Sequence, residues 1–287
     1  MQKIKEQLPI FFFAILFFTT VFIWYVLLRE DRAGTLTVAF LDIGQGDSIY
    51  IEGPDGTQVI VDGGPDRNVL ARLGEVMPPY DRSIDAVIAT HPDKDHIAGL
   101  VDILSYYRVS HFFEPGIAND TAVYTALEKT VVLQGIPKTL ARRGMRISLG
   151  DGAELQILFP DRDIESDDTN DASVVAEVRY GRTCFLLTGD APTKTAESYI
   201  LYTLADSRLP CDVLKLGHHG SKYSNGAAFL SVVAPSVAVI SVGKDNRYGH
   251  PARETLERVE TLGIPYLSTV TSGTILFKSD GEKIWQN

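Results

Sequence analysis

A chain of 287 residues is long enough for one large two-layered domain beyond a distinct N-terminal segment. Its formal net charge of −10 at pH 7 excludes a broad basic surface for nucleic acid, so any recognition of phosphate must be local. Two cysteines, Cys184 and Cys211, exclude a framework of several disulfides. Because each lies beside an apolar run, we expect both to be buried free thiols.

The first predicted element is a transmembrane helix over residues 8–28. This stretch carries no charged residue, and a helix of about 20 apolar residues spans the roughly 30 Å core of a bilayer. A cleavable signal peptide is the alternative, but its apolar stretch is usually about 7 to 15 residues long and ends in a small-residue cleavage site. Neither feature is evident.

Positive charges flank this predicted helix on both sides. Lys3, Lys5 and the α-amino group precede it, whereas Arg29 and Arg32 follow, and this slight excess favours an N-terminus inside the cell. We therefore expect a short tail at 1–7, a single membrane span, a linker at 29–34 and one domain at 35–287. The expected location is the cell membrane, with the domain on its outer side.

The domain begins with three segments rich in β-branched residues, TLTVAFLD, SIYIEG and TQVIVDGG, which predict consecutive strands. Helical patterns near Asp66–Val76, His96–Tyr106 and Asp120–Leu133 follow, interspersed with the strand-like IDAVIAT and RVSHFFE. In the second half, PTKTAESYILYTL predicts a helix. The strands predicted there are ELQILFP, SVVAEVRY, TCFLLTG, DVLKLG, SVAVISVG and TILFKSDGEKIW. This mixture predicts the α/β class.

Several apolar runs end abruptly in clusters of Gly, Asp, His or Asn, as in AVIAT-HPDKDH, FLLTGD and VLKLGHHGS. Buried strands that deliver polar residues at their C-terminal ends converge on one edge of the sheets. We expect a single site at that edge.

The segment from His91 to His96, HPDKDH, holds four candidate metal ligands within six residues. On an extended segment, positions two apart point the same way, so His91 and Asp93 can reach one ion. Asp95 and His96, at the start of a helix, turn toward a second. Imidazole and carboxylate suit Zn²⁺, Mn²⁺ or Fe, and the absence of thiolates argues against a closed structural zinc site. A solvated helix N-cap is the alternative interpretation.

Two later strand ends supply further candidate ligands, which reduce the weight of the N-cap alternative. Asp190 follows TCFLLT, beside Gly189, where a small neighbour permits close approach of an ion. His218 and His219 follow VLKLG.

From about Leu36 to its end, the chain resembles the metallo-β-lactamase-like domain of ComEC-type DNA-uptake competence proteins. The matching motifs stand in the family's order and are FLDIGQGDS, VDGG, THPDKDHIAG, NDASVV, LLTGD, LKLGHHGS and ISVGKDNRYGHP. The resemblance implies a four-layer αββα metallo-β-lactamase sandwich, preceded here by the N-terminal transmembrane helix. It makes residues 35–287 a metallo-β-lactamase-like hydrolase domain.

The resemblance further implies two divalent metal ions, Zn²⁺ or Mn²⁺. The implied ligands are His91 and Asp93 for one ion, Asp95, His96 and His219 for the other, and Asp190 as a bridge. Of the pair His218 and His219, one is a ligand and its neighbour can contact a substrate oxygen, and both assignments stay open.

Two departures from the superfamily's pattern affect the expected metal. Asp93 stands where the superfamily usually has a second histidine, and the usual third-motif histidine is replaced near Asn170 to Ser173. One metal site is therefore poorer in nitrogen donors, which makes Mn²⁺ an alternative to Zn²⁺.

Other residues are candidates for supporting roles around the metals. Asp42 and Asp62 are expected just behind them, orienting imidazoles or stabilising loops, although an Asp beside Gly is also common in plain turns. His250 is a candidate general acid or phosphate ligand, with a surface histidine as the alternative. Candidate hydrogen-bond donors to a phosphate, which otherwise would be solvated loop residues, are Gln45, Ser221, Lys222 and Asn246. His111, in RVSHFFE, is interpreted as structural.

The expected reaction is hydrolysis of a phosphodiester by a water held between two cations. Asp95 and Asp190 would orient the water, and His218 or His250 would assist the charge or the leaving group. The resemblance points to DNA as the substrate and to a nuclease role in DNA uptake. The chain has one predicted span rather than the many of complete competence proteins. We therefore expect either a separate channel protein as its partner or a domain recruited for another phosphodiester chemistry.

Three other functions remain open on the sequence. A phosphodiesterase for phosphocholine, lipid or cell-wall phosphodiesters would need no basic track, which fits the acidic composition. Lactam hydrolysis is a further hydrolase reaction. A non-enzymatic binding module is the alternative if no metal binds. The oligomeric state is not predicted.

Overall fold

The computed structural model describes residues 2–30, 34–204 and 210–287, with the backbone alone for 2–8, 26–30 and 204. By its internal contacts the chain divides into two compact units, Met1–Gly34 and Thr35–Asn287. The two units are described separately.

The first unit contains one helix, α1 (Gln2–Glu30). Among the described residues, no helix combines the length and the apolar character needed to cross a bilayer. The transmembrane helix predicted over residues 8–28 is therefore not supported. The side chains at positions 8 and 26–28 of that prediction, and part of the predicted linker at 31–33, lie outside what is described.

The second unit alternates strands and helices, as the sequence predicts. Its strands are β1 (Leu36–Phe40), β2 (Ile49–Glu52), β3 (Gln58–Val61), β4 (Ser83–Ile88), β5 (Arg108–Glu114), β6 (Lys138–Leu140), β7 (Arg146–Gly150), β8 (Ala153–Phe159), β9 (Val175–Tyr180), β10 (Thr183–Leu187), β11 (Val213–Lys215), β12 (Val237–Ile240), β13 (Tyr266–Ser268), β14 (Ile275–Ser279) and β15 (Ile284–Gln286). Its helices are α2 (Asn68–Val76), α3 (Lys94–Tyr106), α4 (Ala122–Leu133), α5 (Ser198–Leu204), α6 (Ala227–Val233), α7 (Arg253–Thr261) and α8 (Thr269–Ser272). Short helical turns lie at Thr169–Ala172, Thr193–Glu197 and Gly217–Gly220.

Within the described ranges the strands form two sheets. The first has the order β15-β14-β1-β2-β3-β4-β5-β6 and the second β13-β12-β11-β10-β9-β8-β7. From β3 to β6, and from β10 to β13, neighbouring strands are parallel. The strand-like TILFKSDGEKIW is a hairpin of two strands, β14 and β15.

Three apolar clusters hold the layers together. The first lies between the sheets and joins Phe40 and Phe277 of one sheet to Phe185 of the other. The second packs α2, α3 and α4 against the first sheet, and the third packs α5, α6 and α7 against the second sheet. Because both faces of the inner strands are covered, strands such as β3 are buried at every residue rather than at alternate ones. The result is the expected four-layer αββα sandwich.

The polar clusters of the sequence follow the C-terminal ends of strands. HPDKDH comes just after β4, Asp190 after β10, and the two adjacent histidines after β11. Loops after β1 and β3 supply further carboxylates. The strands β3 and β4, and likewise β10 and β11, are parallel neighbours, and β1 runs in the same direction as β3 because β2 is antiparallel to both. The loops after these strands therefore reach the edge where the site lies.

The expectation of free thiols is wrong, because Cys184 and Cys211 form a disulfide. Cys184 lies in β10 and Cys211 just before β11, and these two strands are parallel neighbours. Their Cα atoms therefore lie 4.8 Å apart although 27 residues separate them in the chain. Nothing in the local sequence indicates this strand adjacency.

Candidate metal centre

Three buried imidazoles share one arrangement. In each ring Nδ1 has a fixed partner: Thr90 Oγ1 at 3.0 Å for His91, Asp62 Oδ2 at 2.7 Å for His96, and the Ser241 carbonyl oxygen at 2.9 Å for His219. The Nε2 atom of each ring is buried and has no hydrogen-bond partner among the described residues. A histidine oriented through one ring nitrogen while the other is left unpaired is the usual arrangement of a metal ligand.

Asp190 lies between two of these imidazoles. Its Oδ1 is 3.3 Å from His96 Nε2, and its Oδ2 is 3.5 Å from His219 Nε2. Asp95 approaches from the other side, with Oδ2 3.5 Å from His219 Nε2. The candidate ligand atoms of His91, His96 and Asp190 form one group within 4.8 Å, and those of Asp95, His96 and His219 form another. The structure thus brings together residues that are up to 128 positions apart.

Asp93 lies at the margin of the site. Its Oδ2 is 3.8 Å from His91 Nε2, and its Oδ1 accepts a hydrogen bond of 2.5 Å from Thr169. It occupies the N-cap position of α3 but makes no side-chain capping bond, so the N-cap alternative does not account for it. Thr169 belongs to the helical turn Thr169–Ala172.

Two residues of the site were not predicted from the sequence, Asp47 and Lys215. Both are fully buried, and their carboxylate and ammonium groups form an ion pair. Lys215 Nζ also donates to the Gly189 carbonyl oxygen at 2.7 Å and lies 3.6 Å from Asp190 Oδ1. The sequence signal was a lysine in β11, a strand otherwise made of apolar residues.

Burial and neighbouring charges determine the protonation of the site. Burial raises the pKa of Asp190, but the charges of His219 and His96 outweigh it and hold that pKa well below its usual range. Burial lowers the pKa of His219, yet Asp190 and Asp47 raise it to about 9. The pKa of His96 lies well above its ordinary value because Asp190 and Asp62 outweigh burial. Asp190 is therefore ionised at pH 7, the form in which a carboxylate binds a cation.

His91 behaves differently from these two rings. Burial and the neighbouring charge of His96 hold the pKa of His91 well below its ordinary value. Its imidazole is therefore neutral at pH 7, the form that binds a metal.

The backbone at the two adjacent histidines is strained. His218 and His219 have φ angles of 51° and 53°, in the left-handed region that few non-glycine residues adopt. Asn225 stabilises this turn, because its side chain accepts a hydrogen bond from the N–H of Gly217 and donates one to the carbonyl oxygen of Gly217. In this left-handed conformation both rings lie near Asp190, with His218 Nε2 3.6 Å and His219 Nε2 3.5 Å from Asp190 Oδ2.

Two glycines permit close packing of the loops. A Cβ on Gly46 would lie 2.0 Å from the carbonyl oxygen of Asp95, so only glycine lets the GQGD loop lie against the start of α3. Gly189 has a φ of +50°, and a Cβ there would lie 3.0 Å from Thr90 Cβ. Gly189 therefore accommodates Thr90 at the strand end that carries His91.

The predicted supporting aspartates differ in position. Asp62 lies behind His96, as expected, and its carboxylate also accepts hydrogen bonds from the backbone and hydroxyl of Thr90. Asp42 does not lie behind one of the three imidazoles. Its carboxylate lies 3.9 Å from Arg72, and its backbone N–H donates to the hydroxyl of Thr274. It stabilises the loop after β1 instead.

The four residues predicted to donate hydrogen bonds to a phosphate also differ in their surroundings. Gln45 Oε1 accepts from Gly243 N at 3.1 Å, which leaves its amide nitrogen free of hydrogen bonds among the described residues. Ser221 is buried, and its hydroxyl accepts from Tyr223 N. Asn246 bonds the backbone N–H and carbonyl of His250 and so fixes a loop. Of this group Lys222 alone has an exposed side chain.

His250 lies over the site beside His218, with ring centroids 5.4 Å apart. Its Nδ1 is buried without a hydrogen-bond partner in the described residues. Burial, with the charges of His218 and His219, lowers the pKa of His250 to about 4. Burial lowers the pKa of His218 as well. His111, by contrast, bonds Thr139 on the neighbouring strand, as a structural histidine does.

The family follows from a match over most of the domain. A family model described as the metallo-beta-lactamase superfamily matches residues 41–244. The chain belongs to this superfamily. A metallo-β-lactamase-fold protein of known structure, YhfI from Bacillus subtilis, aligns with a TM-score of 0.58 at 12% identity, covering 86% of this chain and all of that protein. This likeness confirms the fold.

Curated relatives of this superfamily member confirm the resemblance to competence proteins. ComE operon protein 3 of Bacillus subtilis is 30% identical over an alignment of 263 positions that covers 84% of this chain and 33% of that protein. Competence protein ComA of Neisseria gonorrhoeae is 30% identical over 244 residues, again 84% of this chain, and 32% of that protein. The chain thus spans about a third of the length of these relatives. Family membership and the clustered ligands together support a metal-dependent hydrolase.

Proposed function

We propose that this chain is a phosphodiesterase with two divalent metal ions that cleaves DNA and acts in DNA uptake. The observation that carries the proposal is the set of three anchored imidazoles with unpaired Nε2 atoms around Asp190. Two cations in such a site lower the pKa of water and stabilise both the attacking and the leaving oxygen at phosphorus.

The donor atoms fit two ions. His91 and Asp93 would hold one, and Asp95, His96 and His219 would hold the other. Asp190 would contribute to both, since its two oxygens face different imidazoles. His219 is the better ligand of the adjacent pair because its Nδ1 is fixed by Ser241 and its ring is buried. The site poorer in nitrogen fits Mn²⁺ as well as Zn²⁺.

The chain's own groups then position the reactants. Asp95 and Asp190 accept hydrogen bonds from the attacking water. His218 and His250 are neutral at pH 7 because their pKa values are lowered, so each ring can donate an N–H to a phosphate oxygen. As the water oxygen forms its bond to phosphorus, the ester P–O bond breaks. The proton that the water loses passes to the departing oxygen, with His250 as the proposed relay.

DNA is proposed because relatives named as a competence protein and as a ComE operon protein share this domain. The net charge of −10 supports the second candidate, a phosphodiesterase for small headgroup or cell-wall esters that needs no basic track. The first candidate predicts cleavage of polymeric DNA, whereas the second predicts cleavage of small esters alone.

The test uses the full chain loaded with Mn²⁺ or Zn²⁺ and three substrates: single-stranded DNA, double-stranded DNA and a small aryl phosphodiester. We expect cleavage of DNA, its loss in Asp190→Asn, and unchanged cleavage in Glu260→Gln, an exposed carboxylate on α7. Cleavage of the small ester alone would favour the second candidate. A wild-type chain that binds no metal and cleaves nothing would leave only a binding module.

Location and partner are part of the same proposal. We place the domain on the outer side of the cell membrane, and the Cys184–Cys211 disulfide supports this because disulfides persist in oxidising compartments. A separate channel protein is the proposed partner for DNA transport. Protease treatment of intact cells should degrade the domain, and a domain that stays intact would contradict this location.

A further inference from the structure

Two exposed tyrosines lie on loops that carry site residues. Tyr223 and Tyr248 are each 69% exposed, although large aromatic side chains usually bury more of their surface. Tyr223 follows Lys222 in the loop after the adjacent histidines, and Tyr248 follows Arg247 in the loop of His250. We call these four residues, Lys222, Tyr223, Arg247 and Tyr248, the tyrosine edge.

A chain of rings connects the tyrosine edge to the metal centre. The Tyr248 ring stacks on His250 with centroids 5.9 Å apart and an interplanar angle of 14°. His250 in turn contacts His218 at 5.4 Å, and His218 Nε2 is 3.6 Å from Asp190. Tyr248 is therefore two rings away from the carboxylate that the ions would share.

The loops hold both tyrosines in place. Asn246 closes the loop around Tyr248, since its side chain accepts from His250 N at 2.9 Å and donates to His250 O at 2.7 Å. The backbone of Tyr223 is fixed by Ser221 Oγ and by Thr193 N. A ligand that binds to these rings does not have to order the two loops, which lowers the entropic cost of binding.

Charge favours an anion at this edge. Lys222, Lys244 and Arg247 are exposed here, with Asp245 as the one carboxylate between residues 243 and 250. Lys222 Nζ lies 5.2 Å from the ring centroid of Tyr223. In contrast, the cleft that adjoins Asp93 through Thr169 is lined by Asp120 and Asp167. In a chain with a net charge of −10, the tyrosine edge is a local exception.

We propose that the tyrosine edge binds an unpaired base of single-stranded DNA next to the phosphodiester at the metal centre. The base stacks on the face of Tyr248 that points away from His250, and Lys222 and Arg247 contact flanking phosphates. Base stacking on aromatic side chains combined with nearby cations is the common way to bind single strands. In a duplex both faces of each base are already stacked, so this edge selects single strands.

This inference rests on the proposed function, and its test separates the two. The full Mn²⁺-loaded chain is compared with Tyr248→Ala and Tyr248→Phe on a short single strand and on the same strand with one abasic position opposite the tyrosine edge. Tyr202→Ala is the matched control, because Tyr202 is 90% exposed but lies in α5, outside the edge. Binding and kcat/KM are both measured.

We expect Tyr248→Ala to raise KM on the intact strand about fivefold or more, the lower end for loss of one stacked base. Tyr248→Phe and Tyr202→Ala should behave as wild type, and the abasic strand should show no difference between wild type and Tyr248→Ala. Wild-type cleavage with equal KM in Tyr248→Ala would overturn the stacking alone. A wild type that neither binds nor cleaves the strand would overturn the proposed function and this inference with it.

Discussion

The buried ammonium of Lys215 offers the sharpest test of how the site is held together. Lys215→Met keeps a side chain of similar length but removes the charge that pairs with Asp47 and lies 3.6 Å from Asp190. It also removes the donor to the Gly189 carbonyl. The variant leaves Asp47 buried without its main partner.

The size of the effect follows from this geometry. Removing one partner of a buried ion pair typically costs about 3–5 kcal/mol, because the remaining charge is uncompensated. For a domain of this size that corresponds to a fall in Tm of roughly 6–20 °C. Asp47→Asn should cost less, about 1–3 kcal/mol, because Lys215 keeps Asp190 and Gly189 as partners.

The assay is a double-mutant cycle by urea denaturation of the full chain in the presence of a chelator. We expect the double variant Lys215→Met, Asp47→Asn to be more stable than the sum of the single effects predicts, because it leaves no buried unpaired carboxylate at position 47. Single effects that add to within about 0.5 kcal/mol would refute the pairing.

Three further predictions concern stability and protonation. Replacing Cys184 and Cys211 with Ser should lower the free energy of unfolding by about 2–4 kcal/mol, and an unchanged denaturation midpoint would contradict the disulfide. Burial raises the pKa of Asp47, but Lys215 and His219 hold it at about 2, below the unfolded value of 3.8. The pair of Asp47 and Lys215 therefore stabilises the fold above about pH 4, and roughly 2 kcal/mol of the free energy of unfolding is lost as the pH falls toward 2. An acid titration of stability should not show this loss in Asp47→Asn. Since the raised pKa values of His96 and His219 leave both protonated at pH 7 without metal, metal binding should release about two protons. Calorimetry in two buffers of different ionisation enthalpy measures this proton release. Metal binding without proton release would show that the two rings were already neutral and would contradict the prediction.

Much of the fold was predictable because buried parallel strands leave a strong signal. The apolar runs before HPDKDH and before Asp190 correctly gave β4 and β10. The short strands β6, β7 and β13 were missed. Exposed or half-buried residues dominate all three strands, as at Lys138–Leu140, so no apolar pattern marks them.

Part of the candidate site was also predictable, because its ligand residues follow the ends of these apolar strands. Imidazoles and carboxylates at strand ends are visible in the sequence, but the direction of a turn residue is not. Asp42 and Asp47 flank the same GQG turn, yet the first pairs with Arg72 on the outside and the second with Lys215 inside. Only the tertiary fold decides which of them faces the histidines.

The central claim is that Asp190 and the anchored imidazoles hold two cations. Metal analysis of the purified full chain after incubation with Mn²⁺ or Zn²⁺ tests it most directly, with Asp190→Ala and Glu260→Gln measured in parallel. We predict two ions per chain for wild type and Glu260→Gln, and a loss of bound metal in Asp190→Ala with the fold retained by circular dichroism. A wild-type chain without bound metal, or an Asp190→Ala chain that keeps both ions, would contradict the claim.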